Sequence, residues 1–241
     1  WRDGYYAIGL YGDGEPTVRD SEWDGYVAIR RGAEALFEGN TITGDGISID
    51  GPATSVIRGN TFLDGGSVNS TGAEITVEGN DFAAGSVSLD SQATAEVRDN
   101  VFRDHSSLYS DGAITLYGSG TSALVEDNTI SNGRNGIWAT EGATADIRGN
   151  MLEVSSVAIF LGPGAGTTVE GNTIAGEGAG IVVSRGSDAS VVGNDIDVAA
   201  RGIAISNGSS PIISGNEVCG EMESIFVAAD ATPELSDNQV C

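Results

Sequence analysis

An asparagine recurs at positions 40, 60, 80, 100, 128, 150, 172, 194, 216 and 238, at steps of 20, 20, 20, 28 and then 22 five times. Three residues before each one stands an apolar residue: Phe37, Ile57, Val77, Val97, Val125, Ile147, Val169, Val191, Ile213 and Leu235. Two residues after it comes another, from Ile42, Phe62, Phe82 and Phe102 through to Val218 and Val240. The residue immediately before the Asn is always Gly or Asp, the types that tolerate a left-handed backbone. The unit is therefore strand, tight bend, strand. Its period is too short for a pair of helices, and its apolar spacing is a two-residue alternation. One such coil cannot bury its own apolar face, so coils must stack and share a core. Stacking at roughly 4.8 Å sets each Asn over the last, and the amides then supply one another with the hydrogen bonds that buried polar groups require. This gives the Asn residues a structural task.

Each coil divides into three strands. The first carries an inward pair such as Ile47/Ile49, Val87/Leu89, Ile114/Leu116, Ile137/Ala139, Ile159/Leu161, Ile181/Val183, Ile203/Ile205 and Ile225/Val227. The second carries a small residue and the apolar residue before the bend, as in Ala95/Val97 and Ala145/Ile147; the third is the short segment after the Asn. Residues 1–35 repeat the pattern weakly, with Ile8/Leu10 and Val27/Ile29 as inward pairs and Ser21 in the Asn position. Between Asn60 and Asn80 the apolar candidate, Val68, falls one place out of step, so either Ser67 and Asn69 point inward there or the strand is bulged.

Outward positions follow from the inward ones. Two before the bend, the residues are Arg19, Glu38, Arg58, Glu78, Arg98, Glu126, Arg148 and Glu170, whose alternating signs would set each guanidinium between two carboxylates. Such pairs contribute only about 0.2–1 kcal/mol each, and a slip by one coil would bring like charges together. On the first strand the outward residue is Ser48, Ser88 and Thr115 in early coils, then Trp138, Phe160, Val182, Ala204 and Phe226. Five apolar residues in file on a solvated face imply either cover by the chain's own turns or a contact surface.

Composition narrows the partners. The 241 residues carry a formal net charge of −24, and all eleven basic residues are arginine. Nucleic acid and anionic lipid are disfavoured by such a surface, and no segment is long and apolar enough to insert in a membrane. The unbroken register argues for one domain over residues 1–241, and both ends read as cut from a longer chain.

The recurrent Ile-x-Val followed by Val-x-Gly-Asn-x-Ile resembles the right-handed parallel β-helix proteins of the pectate lyase-like superfamily. More narrowly, it is similar to the carbohydrate-binding and sugar-hydrolase repeat modules of periplasmic copper-maturation proteins, mannuronan epimerases and certain F-box proteins. The resemblance implies an all-β, single-stranded right-handed solenoid, here of about eleven coils with an internal Asn ladder. It also implies that catalytic relatives act on uronic-acid polymers along the first strand. Their Asp clusters, Gly-His-Gly and Arg-x-Lys have no counterpart here: the chain has no Lys and no Asp-Asp pair. No family catalytic residue carries over to a numbered position.

The leading expectation is thus a non-catalytic recognition or scaffold domain that binds a polysaccharide or a protein along the first-strand face, with Trp138, Phe160, Val182 and Phe226 as contact residues. The alternative is a polysaccharide-active hydrolase, lyase or epimerase with its site near the long loop 103–113, where the step from Asn100 to Asn128 leaves about seven extra residues. That loop holds Arg103, Asp104, His105, Tyr109 and Asp111, types that serve as general acids and bases or as ligands; His105 is the chain's one histidine. A rigid spacer is a third reading. No metal centre is expected; calcium is the one cofactor left open, as is end-to-end or side-to-side self-association. Cys219 and Cys241 are one coil apart, occupy the same place on adjacent layers and are candidates for a disulfide in an oxidising compartment, which favours an extracellular or cell-surface location.

Overall fold

The computed structural model describes residues 8–30, 32–106, 112–164 and 166–241. Among them the chain is all-β, and each strand pairs in parallel with its counterpart one coil further on. One sheet of eleven strands holds the segments before the bends, from Thr17–Arg19 to Glu234–Ser236, so the chain winds about ten turns between its first and last strands. An eighteen-stranded sheet holds both other segments of each coil. In four coils these run together as one long bent strand: Glu22–Arg30, Thr41–Asp50, Thr129–Thr140 and Met151–Leu161. No helix among the described residues is long and apolar enough to cross a membrane.

The bend has the backbone its residue types imply. Gly39, Gly59, Gly79, Gly149, Gly171, Gly193 and Gly215 all have φ between 60° and 67°, and Asp20, Asp99, Asp127 and Asp237 lie between 47° and 56°. This left-handed residue turns the next side chain, the Asn, inward. Asn128 shows the resulting ladder: its backbone N–H and Nδ2 both donate to Asn150 Oδ1 at 3.0 Å. Its Nδ2 also reaches the Val97 carbonyl at 2.8 Å, and its own Oδ1 accepts from Asn100 N–H and Nδ2 at 3.1 and 3.0 Å. Ser21 keeps part of the pattern at the first coil, where its N–H donates to Asn40 Oδ1 at 3.1 Å.

Inside, like stacks on like. Phe62, Phe82 and Phe102 lie face to face with centroids 4.4 and 4.6 Å apart, and Ile137, Ile159, Ile181 and Ile203 are fully buried in register. The coil containing Val68 takes neither course expected from its spacing. Val68 pairs with Ile47 and Val87, Ser70 pairs with Ile49 and Leu89, both point inward, and Asn69 faces out. The turn from Asn60 to Val68 is one residue longer than that from Asn40 to Ile47, and the turn from Ser70 to Ala73 is one shorter than that from Ile49 to Ala53. The turns absorb the shift because moving the strand by one residue would turn its apolar face to water.

Outside, the alternating charges pair mainly in one direction. Arg58 bonds Glu38 at 2.7 Å, Arg98 bonds Glu78 at 3.3 Å and Arg148 bonds Glu126 at 2.7 Å, each reaching back one coil. Glu38 alone among these is bridged from both sides, by Arg19 at 2.9 Å as well. Arg148 takes its second contact from Asp146 on its own strand, at 3.3 Å, rather than from Glu170 as the alternation had suggested. The Glu126 hydrogen bond raises the pKa of Arg148 above the ordinary arginine value. At the last coil Cys219 and Cys241 stack with Cα atoms 5.1 Å apart and are joined by a disulfide.

Candidate functional site

Ile137 and Ala139 face the core, so Trp138 between them faces out. The pairing Thr115, Trp138, Phe160, Val182, Ala204, Phe226 carries that outward column through six successive coils. All five residues from Trp138 to Phe226 are half-buried, so the turns flank the column without closing over it. Trp138 and Phe160 stack with centroids 4.2 Å apart and planes 11° from parallel. Their facing sides cover each other, and each ring is half-buried. At the other end the Arg201 guanidinium lies 3.9 Å over the Phe226 ring, a cation–π contact.

Two depressions adjoin the column on neighbouring rungs. The first, of about 400 Å³, lies beside Trp138 and Phe160 and is bordered by Tyr117, Thr140, Glu141 and Arg185. A glycine shapes it. Two residues beyond the aromatic column the outward positions are Tyr117, Thr140, Gly162, Ser184 and Ser206, and only Gly162 presents no side chain. A Cβ there would collide with Thr140 Oγ1 and press on Phe160. The second depression, of about 370 Å³, is mainly apolar: Val182, Ala204 and Phe226 form it with Ala179, Ala200 and Met222, and Arg201 and Ser206 complete the lining.

The rim is polar and held by tight turns. Glu141, Arg185 and Asn207 have φ of 56°, 60° and 52°, each followed by a glycine of positive φ, the pattern of a type I′ turn. Arg185 reaches across the intervening coil to Glu141 at 3.7 Å, and Arg201 lies 3.8 Å from Glu223. Asn207 Nδ2 donates to Ser184 Oγ at 2.8 Å, and the Ser184 and Ser206 hydroxyls are 3.3 Å apart. Thr140 is 8% exposed, and its Oγ1 has no hydrogen-bond partner.

The loop residues lie apart from this groove. Arg103 points out and is held by both oxygens of Asp81 at 2.6 Å; Asp104 is exposed with φ of 60°. His105 is 7% exposed, and its carbonyl accepts the Arg134 N–H at 2.8 Å. None of the three lines either depression. Tyr109 and Asp111 lie outside the described residues. Among the described residues no group of three His, Cys, Asp or Glu side chains is disposed to hold a metal ion.

The sequence therefore indicates the file from Trp138 to Phe226 but not its rim. Tyr117, Thr140, Gly162, Ser184 and Ser206 recur two residues after the aromatic column, and the break at Gly162 in that file of hydroxyl-bearing residues was the available signal. Arg201 and Met222 carried none, since neither residue type recurs at the matching positions of the neighbouring coils.

A family model described as "Right handed beta helix region" matches residues 3–151 and 85–240. No curated protein matches the chain in sequence. Among solved structures, the periplasmic alginate epimerase AlgG superposes with a TM-score of 0.70 at 10% identity, over 94% of this chain and 77% of that one. A double mutant of AlgG superposes at 0.76 with 12% identity, over 97% and 70%. A mutant tailspike protein of E. coli bacteriophage HK620, solved in complex with a hexasaccharide, gives 0.55 at 11% identity over 93% of this chain; the chain spans 58% of the tailspike. At these identities the likeness is one of fold.

Proposed function

The chain belongs to the right-handed β-helix family, and on that premise we propose that it is a non-catalytic recognition domain that binds a saccharide along the groove from Trp138 to Phe226. The observation that carries this reading is the half-buried aromatic column set between two depressions of about 400 and 370 Å³, volumes typical of ligand sites. The aromatic and aliphatic surface of the column suits the C–H face of a sugar, and the Thr140, Ser184, Ser206 and Asn207 side chains suit its hydroxyls. A β-helix that carries a hexasaccharide in the tailspike complex and one named as an alginate epimerase support saccharide as the ligand class. The periplasmic setting of AlgG and the Cys219–Cys241 pair support an extracytoplasmic location. The non-catalytic part of the reading rests on the separation of His105 from the groove and on the Arg103–Asp81 pairing, which occupies the exposed cation of the loop. A glycan array combined with reducing-sugar and unsaturated-uronate assays tests it. We expect retention of at least one oligosaccharide class with no release of either product; turnover of a bound glycan would make the protein an enzyme.

A further inference from the structure

We infer that the groove selects neutral, hydroxyl-bearing saccharides and rejects polyuronates; this rests on the saccharide reading above and narrows its ligand class. A uronate carries one carboxylate per sugar, and binding it in a partly desolvated groove requires a cation free to meet each charge. Among the described residues, each of the two guanidiniums that line the groove already faces a carboxylate, at ion-pair rather than hydrogen-bond distance. Arg185 is 3.7 Å from Glu141 across the rim of the first depression, and Arg201 is 3.8 Å from Glu223 while it covers the Phe226 ring at 3.9 Å. Each ion pair leaves its end of the groove near neutrality within a chain of formal net charge −24. At physiological salt, charges within about 8 Å of a bound carboxylate still act on it, and besides the ion-paired Arg201 and the neutral Ser206 the second depression offers only apolar lining, such as Val182, Ala204 and Met222.

What the groove does offer is uncharged. Ser184 and Ser206 lie 3.3 Å apart, and either can donate or accept, as a sugar hydroxyl can. Thr140 provides the second, independent sign of a ligand. It is 8% exposed, its Oγ1 has no hydrogen-bond partner, and it borders the first depression beside the missing side chain of Gly162. A buried hydroxyl without a partner is rare in a folded protein; Oγ1 lies against Gly162 and is closed to water, so a neutral hydroxyl entering over Gly162 would reach it with a rotation of the Thr140 side chain.

The test is calorimetric titration in calcium-free buffer at low salt, with neutral gluco-, galacto- and manno-oligosaccharides against oligogalacturonate and oligomannuronate. The wild-type protein is expected to bind a neutral oligosaccharide more tightly than either uronate. Thr140→Val, which keeps the side-chain shape, should weaken the neutral complex about two- to tenfold, the range of one neutral hydrogen bond. Glu141→Gln with Glu223→Gln, which frees both guanidiniums, should raise uronate affinity about two- to fivefold over wild type, the range of an exposed ion pair. Tighter binding of uronate than of neutral glycan by the wild type would overturn the selectivity while leaving the saccharide reading in place. So would a Glu141/Glu223 variant with no gain for uronate. Binding of neither class would remove the saccharide reading itself, and the selectivity with it.

Discussion

Asn128 shows how much one side chain holds in this molecule. It receives the N–H and Nδ2 of Asn100, gives its own to Asn150 Oδ1 and reaches the carbonyl of Val97, all in a site closed to water. Asn128→Ala would leave the N–H and one Nδ2 hydrogen of Asn100 without an acceptor and take the donor from the Val97 carbonyl, while the backbone N–H of residue 128 still serves Asn150 Oδ1. At about 1–3 kcal/mol for each unsatisfied group, the expected loss is about 3–5 kcal/mol. Asn238 has only one ladder neighbour, Asn216, and is half-buried, so water can replace its bonds; Asn238→Ala should cost about 1 kcal/mol or less. Denaturant unfolding of the two variants checks this, and equal losses would contradict the ladder as described. The ladder was legible because one residue type recurs at one position with Gly or Asp before it. The unpartnered Thr140 was not, because its state depends on Gly162 in the next coil, and a threonine at an outward position looks ordinary in sequence.

At the scale of strands and turns, the alternation of inward and outward residues was readable throughout the regular coils. The two departures came from turns. Val68 keeps its register because one turn lengthens and the next shortens, and strand spacing alone cannot show which turn gives way. The rim of the groove also belongs to turns: Glu141 and Arg185 each open a left-handed turn, two coils apart, and their side chains meet across the coil of Gly162. The last coil gives an element-scale prediction. Cys219 and Cys241 close a loop of 22 residues at a Cα separation of 5.1 Å, within the range that a disulfide spans. The bridge ties down the terminal segment and should stabilise it by about 3 kcal/mol in the loop-entropy account. Thiol titration of the denatured, unreduced protein should find no free thiol; two per chain would show that the pair stays open.

For the whole molecule, a repeat of 20 to 22 residues with fixed inward positions left stacking as the way to make a core, and the parallel solenoid follows. The groove was legible only as a file of apolar residues. Its depth, its two halves and its ion-paired rim arise from which side chains the equal 22-residue coils set beside that file, above all the one missing at Gly162. The long loop, which gathered the residue types most often used in catalysis, lies elsewhere on the coil surface: Arg103 is held by Asp81 and His105 is buried. Two sites on one solenoid thus make opposite predictions, and variants at each separate them. Changing Trp138 and Phe160 together to Ser removes the stacked pair, worth about 0.5–1.5 kcal/mol beyond its buried area, from a surface outside the core; the melting temperature should fall by no more than about 4 °C for a chain of this size. The deciding measurement is calorimetric titration of the neutral oligosaccharide bound by the wild type into this double variant and into His105→Ala. The account predicts that binding is lost in the first and retained in the second; retention in the first with loss in the second would contradict it.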